Sequence, residues 1–310
     1  MYNLNSKLYK LKSGFVPRKC SEYDTMSLYE FIRQYSHRFK GVRGAVWTGE
    51  YLKRSVSKLN LFCAFNDLGN KPIDKITTLD IDDFIEFLGE ELGYSNSTKN
   101  KYLTVISPCL KYALAAEKIA KLPTINWTKV EDEGKPRYFN SDEIVQIKKA
   151  FQECHWSDWM PDIFTVAINT GMRRGELSKI GSKVNLVEID GANFLSIPKE
   201  ESKTKKARLV PLNEDALAAV KRLGDVSKFW RNKSWNKAWI YARNKVSPGD
   251  KNFTGHVTRH TTATMFADAG MNLKHIGKFL GHASERTTMK YIKTSNEQLV
   301  KMSSLLQGVA

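Results

Sequence analysis

Acidic residues are scarce in this chain. Asp and Glu number 33 against 49 Lys and Arg over 310 residues, a formal excess of 16 positive charges. Long apolar runs are missing too. None approaches the roughly 20 residues that cross a bilayer, and Met1 to Lys7 form no apolar signal core, so neither a membrane-spanning nor a secreted protein is expected. Cysteine occurs only at positions 20, 63, 109 and 154. None forms a CxxC pair, which sets aside a disulfide frame and a zinc site in favour of reduced thiols. Repeats and low-complexity tracts are absent as well.

What is present is an ordinary globular composition, 41% hydrophobic and 26% charged, in a chain long enough for two cores. The basic excess is the strongest compositional signal. Lys and Arg gain affinity for a phosphate backbone by releasing its condensed counterions. No basic amphipathic helix stands out, which argues against an anionic lipid surface. A nucleic acid is the expected partner.

Periodicity divides the chain. Residues 1–24 are basic and poorly periodic and read as a flexible arm. Residues 25–120 show helical stripes: Leu28, Phe31, Ile32, Tyr35; then Ile81, Phe84, Ile85, Leu88, Leu92; then Tyr102, Val105, Ile106, Cys109, Leu110, Ala113, Leu114. These predict a bundle of about four helices. Thr78 is the expected N-cap of the second stripe and Gly93 its stop, and Pro108 should bend the third. Residues 121–137 lose the period and predict an extended linker. Asn140 followed by Glu143 signals a new helix. In the second domain, 138–310, Phe194–Ile197 and Ala207–Leu212 read as strands around a loop from Lys199 to Lys206. Leu299, Met302, Leu305 and Leu306 predict a tail helix. The fold class is mainly α with a small β-sheet.

The chemistry concentrates late. Thr170-Gly171-Met172-Arg173-Arg174-Gly175-Glu176-Leu177 places an arginine at a turn and helix start, with Glu176 three residues on to hold its guanidinium. His256-Val257-Thr258-Arg259-His260 puts His256 and Arg259 on one helical face. Leu280-Gly281-His282 and Tyr291 follow, with Gly270 and Gly281 as helix stops and Ser284 as a cap. Arginine's planar fork can hold a phosphodiester at any working pH, and a tyrosine hydroxyl can form an ester with it. Histidines at 256 and 260 have zincin spacing, but Val257 stands where that motif needs Glu. No metal and no cofactor is expected.

This set, in this order, resembles the tyrosine recombinase (phage-type integrase) family over about Ser27 to Thr294. The resemblance implies a helical core-binding (SAM-like) domain plus an α+β catalytic domain, clamping duplex DNA from opposite faces. It implies catalytic roles for Arg173, Lys203, His256, Arg259, His282 and Tyr291, with Glu176 and His260 supporting. Lys203 is found by counting back from the Leu209-Val210-Pro211-Leu212 strand, with Lys199, Lys205 and Lys206 as close rivals. Arg174 would then be a surface or DNA-backbone arginine. The pattern departs from the family at Thr258, where leucine is common, and at Ile292-Lys293, where Ala-His is common. Neither change removes a catalytic group. The implied activity is site-specific integration or excision through a 3′-phosphotyrosine at Tyr291, by a homo-tetramer on DNA, with a DNA-bending accessory protein and a cytoplasmic, nucleoid-associated setting. The alternatives are a chromosome-dimer-resolving recombinase, a type IB topoisomerase and a non-catalytic DNA-binding regulator. Arg43, Lys53, Arg54, Lys99, Lys101, Trp230, Arg231 and Arg243 are the candidate DNA contacts.

Overall fold

The computed structural model describes residues 15–17, 26–41, 44–130, 136–154, 157–289 and 291. The expected arm (apart from Phe15, Val16 and Pro17), Cys20, Arg43 and the tail helix lie outside these residues. The chain forms two compact units, 1–132 and 133–310.

The first unit is built on four helices among the described residues: α1 Leu28–Tyr35, α2 Gly49–Ala64, α3 Thr78–Glu90 and α4 Asn96–Ala115. Each start follows from local chemistry. Ser27 and Glu30 exchange hydrogen bonds in a capping box on α1, and Ser95 accepts from Thr98 N–H on α4. On α3 the cap is Thr77 rather than Thr78, with Asp80 closing the box. Thr78 sits one position inside, and its hydroxyl accepts from Thr124 N–H instead. Phe31, Phe39, Phe62, Phe84 and Trp47 fill the core with Leu28, Leu59 and Leu88. Each such side chain contributes about 1.5–3 kcal/mol by leaving water. The third stripe is right except at its end, because Leu114 is exposed and Leu103 is buried in its place. Helix α4 runs through Pro108 without a break.

The expected linker is in part a strap. Residues 121–130 have no regular structure, yet Asn126 donates to Asp82 and Asn100 holds Thr128 from both sides. Leu122 and Ile125 pack on the same core. Phe15 likewise packs on Tyr29, although the first 24 residues read as a free arm.

The second unit contains α5 Ser141–Gln152, α6 Met160–Thr170, α7 Arg174–Leu177, α8 Glu214–Leu223, α9 Asn232–Val246, α10 Val257–Asp268, α11 Leu273–Leu280 and α12 Glu285–Met289. Asn140 and Glu143 form the expected capping box on α5. Strands β1 Asn185–Ile189, β2 Ala192–Ile197 and β3 Arg208–Pro211 make an antiparallel sheet in sequence order. Sequence reasoning missed β1, whose residues are mostly exposed. The overlooked signal was Asp190-Gly191, both at positive φ, the dipeptide that suits a two-residue hairpin turn. Phe139, Phe151, Phe164, Trp235, Trp239 and Phe253 form an aromatic core. A smaller cluster of Ala263, Ile276, Leu280 and Tyr291 lies beside it.

Candidate active site

Helices α6 and α10 form the floor of the site. A buried threonine ties them together, Thr262 Oγ1 donating to the Ile168 carbonyl at 2.8 Å, while Thr261 Oγ1 ties α10 to the segment before α5 by accepting from Phe139 N–H at 2.9 Å. Helix α6 ends at Gly171 in the left-handed region, φ +59°, where a Cβ would lie 2.4 Å from Leu280 Cδ2. Only glycine satisfies both demands. Its carbonyl accepts from Arg259 Nη1 at 2.8 Å.

Arg259, 3% exposed, also donates from Nη2 to the Leu280 carbonyl at 2.6 Å. Arg173 donates from Nη2 to the Gly281 carbonyl at 3.1 Å. Glu176, 2% exposed, accepts from Arg173 N–H at 2.8 Å and from its Nη1 at 3.3 Å. The expected grip of Glu176 on Arg173 is therefore present.

A third guanidinium was not anticipated. Arg208, at the start of β3, donates to the Leu280 carbonyl at 2.7 Å and to Glu176 at 2.9 Å, while its Nε is buried with no partner among the described residues. Its signal was period-two alternation. Arg208 shares the inward face of β3 with buried Val210, whereas Leu209 and Pro211 point out, and an inward arginine on a strand needs an anion or a carbonyl cluster. Thus three arginines and one carboxylate surround the two carbonyls of the Leu280-Gly281 turn. Gly281 is required there, since at φ +67° its Cβ would meet Arg208 Nη1 at 2.0 Å.

This excess of positive charge governs the neighbouring groups. Burial, then Arg173 and Arg208, press Arg259 down to about 9, which still leaves it charged at neutral pH. His282 is lowered to about 4 by burial and then by Arg259, Arg173 and Arg208. Its Nδ1 pairs with buried Thr288 Oγ1 at 2.8 Å. His256 keeps an exposed edge at the head of α10, yet desolvation is the largest cause of its lowered pKa, followed by Arg259, Arg173 and Lys203. Both rings are neutral near pH 7.

Tyr291 is 4% exposed. Burial raises its pKa, and Arg259 and Arg173 pull it back. Its hydroxyl lies 2.6 Å from His260 Nδ1. His282 stacks on it at 6.3 Å between ring centroids. Ser284 Oγ accepts from Arg286 N–H at the start of α12, and Tyr291 follows that helix.

Lys203 is exposed in the β2–β3 loop and close enough to His256 to act on it electrostatically. The loop is anchored near its start. Glu201 pairs with Lys179 and with Lys183, and Ser202 and Thr204 share a hydrogen bond at 2.9 Å. Arg174 is held away from this cluster. It donates to Asn232 Oδ1 at 2.7 Å and lies over the Trp235 ring while remaining exposed. Among the described residues, no group of three or more His, Cys, Asp or Glu is placed to hold a metal ion.

The chain matches the family model described as the phage integrase family over residues 137–298. It belongs to that family. Residues 27–128 match the phage integrase SAM-like domain. These are the tyrosine recombinases, enzymes that cut and rejoin DNA strands. The tyrosine recombinase XerC of Leptospira interrogans is 22% identical, over 92% of this chain and 96% of that protein. Transposase B of transposon Tn554 from Staphylococcus aureus is also 22% identical, over 87% of this chain and 46% of that protein. The fold is shared with the integrase of transposon Tn1549 solved with transposon right-end DNA, at TM-score 0.70 and 18% identity, over 91% of this chain and all of that one (100%). The XerH recombinase bound to its difH substrate gives TM-score 0.66 at 14% identity, over 94% of this chain and 99% of that one.

Proposed function

We propose that this tyrosine recombinase is the site-specific integrase/excisionase of a mobile element, acting on double-stranded DNA with Tyr291 as nucleophile. The observation that carries the reading is the convergence of Arg173, Arg259, His256, His282 and Tyr291 around the Leu280-Gly281 turn. Arg173 and Arg259 hold the non-bridging oxygens of the scissile phosphate, exchanging their carbonyl partners for it. His256 and His282, neutral at pH 7, complete the hydrogen-bond shell. The Tyr291 oxygen attacks phosphorus, the bond to the 5′-oxygen breaks, and Lys203 protonates that oxygen. A 3′-phosphotyrosine and a free 5′-hydroxyl result. A 5′-hydroxyl from the partner duplex then reverses the step. The phosphodiester energy stays in the ester, so no cofactor is needed.

The working assembly is a homo-tetramer on paired sites, in the cytoplasm, with a DNA-bending protein as an accessory. Chromosome-dimer resolution is the second reading, favoured by the likeness to XerC over nearly the full length of both chains. A plasmid carrying two copies of the element's flanking sequence tests the proposal. Recombinant junctions appear with the wild type if it holds. Relaxation of supercoils on any DNA without junctions would indicate a topoisomerase, and binding with neither product a regulator.

A further inference from the structure

The neutral form of Tyr291 is a poor nucleophile. A phenol with pKa near 10 is protonated at neutral pH, and burial raises this one further. The attack needs a proton acceptor in hydrogen-bond contact with the hydroxyl. His282 directs its Nδ1 to Thr288 and stacks face to face on Tyr291. His256 contacts the His260 ring edge-on at 4.7 Å between centroids. His260 Nδ1 lies 2.6 Å from the Tyr291 oxygen, with the two rings tilted by 41°.

Resting on the recombinase reading above, we propose that His260 is a catalytic residue: the general base that takes the Tyr291 proton. His260 enters the step neutral, with its hydrogen on Nε2 and a lone pair on Nδ1. The Tyr291 proton moves to Nδ1 and leaves an imidazolium. The phenolate oxygen forms the new bond to phosphorus, the bond to the 5′-oxygen breaks, and that oxygen takes a proton from the Lys203 ammonium. One proton leaves Tyr291 and one arrives on the 5′-hydroxyl, so the diester keeps its single negative charge. In rejoining, the incoming 5′-hydroxyl returns its proton to Lys203, and the imidazolium returns its own to Tyr291. Among the described residues, the groups around His260 include Tyr291 after α12, His256 at the head of α10, His282 after α11 and Arg259 beside it on α10. The contact binds a motif neighbour of Arg259 to the reaction itself and not only to packing.

Two measurements decide this. In the first, the full chain labelled with ¹⁵N-histidine is examined by long-range ¹H–¹⁵N correlation at neutral pH, without DNA. His260 should carry its proton on Nε2, and its Nδ1 resonance should move in Tyr291→Phe. A proton on Nδ1 would make His260 a donor to the phenol oxygen and would overturn the proposal. In the second, covalent cleavage is timed on a nicked duplex bearing the mapped cleavage position, with either oxygen or sulfur as the 5′-bridging atom. Sulfur departs without a proton, so it rescues loss of the acid but not loss of the base. His260→Gln should fall by about 10²–10⁴-fold on both substrates, with a rate that climbs steadily with hydroxide. Lys203→Ala should recover on sulfur. A His260→Gln defect erased by sulfur, or a wild-type rate and pH profile, would overturn the assignment. His260→Asn is read in the same way if His260→Gln fails to fold. If the wild type forms no adduct with any DNA, the recombinase reading fails, and the resonance measurement still decides where the His260 proton lies.

Discussion

At the scale of single residues, the site is a charge imbalance held in place by backbone carbonyls. Arg173, Arg208 and Arg259 face one carboxylate, Glu176. Removing that carboxylate leaves buried cations uncompensated, so Glu176→Gln should cost about 3 kcal/mol, read from urea unfolding. The same imbalance holds His282 at about 4 against an ordinary 6.5. Between those values the unfolded chain binds more protons than the folded one, so stability falls as pH drops from 6.5 to 4 and is unaffected by this group below that. His282→Asn should flatten that part of the curve, and an unchanged curve would remove His282 from the account. A phosphate placed among the arginines should raise the His282 pKa. DNA binding at pH 5 should therefore take up protons, visible as a calorimetric heat that depends on the buffer's ionisation enthalpy. The motif residues themselves were legible because their types and order are distinctive. Arg208 was not, since its role depends on which face of β3 it occupies. Nor was the His260–Tyr291 contact, since spacing does not tell which way a ring nitrogen points.

At the scale of elements, the boundaries follow caps and glycines. Ser27, Ser95 and Asn140 mark their helices as side-chain caps should, and the one-residue slip at Thr77-Thr78 shows why two adjacent threonines cannot be separated by pattern. Strand β1 escaped notice because an exposed edge strand lacks the burial that makes alternation visible. The ten residues from 121 to 130 read as linker because polar side chains, not an apolar stripe, hold them to α3 and α4. Gly281 is the element-scale test. A Cβ there meets Arg208 at 2.0 Å in a left-handed conformation, so Gly281→Ala should destabilise by about 1–3 kcal/mol. It should also slow cleavage more than binding, because the turn positions His282. Equal losses in both would mean that the turn serves DNA affinity instead.

At the scale of the whole molecule, the formal excess of 16 positive charges sets the terms of association. If six to ten phosphates are contacted, affinity should drop by roughly 10³–10⁵ between about 50 and about 200 mM salt. Lys99→Ala or Lys101→Ala should each reduce the salt slope by about 1 if that lysine meets a phosphate, as fluorescence anisotropy would show. The central claim is that Tyr291 carries the covalent bond. The wild type, incubated with duplex DNA from the element's flanks, denatured and digested, should yield a peptide bearing a nucleotide 3′-phosphate on Tyr291, and Tyr291→Phe should yield none. A nucleotide on another tyrosine, or an adduct that survives Tyr291→Phe, would contradict the account.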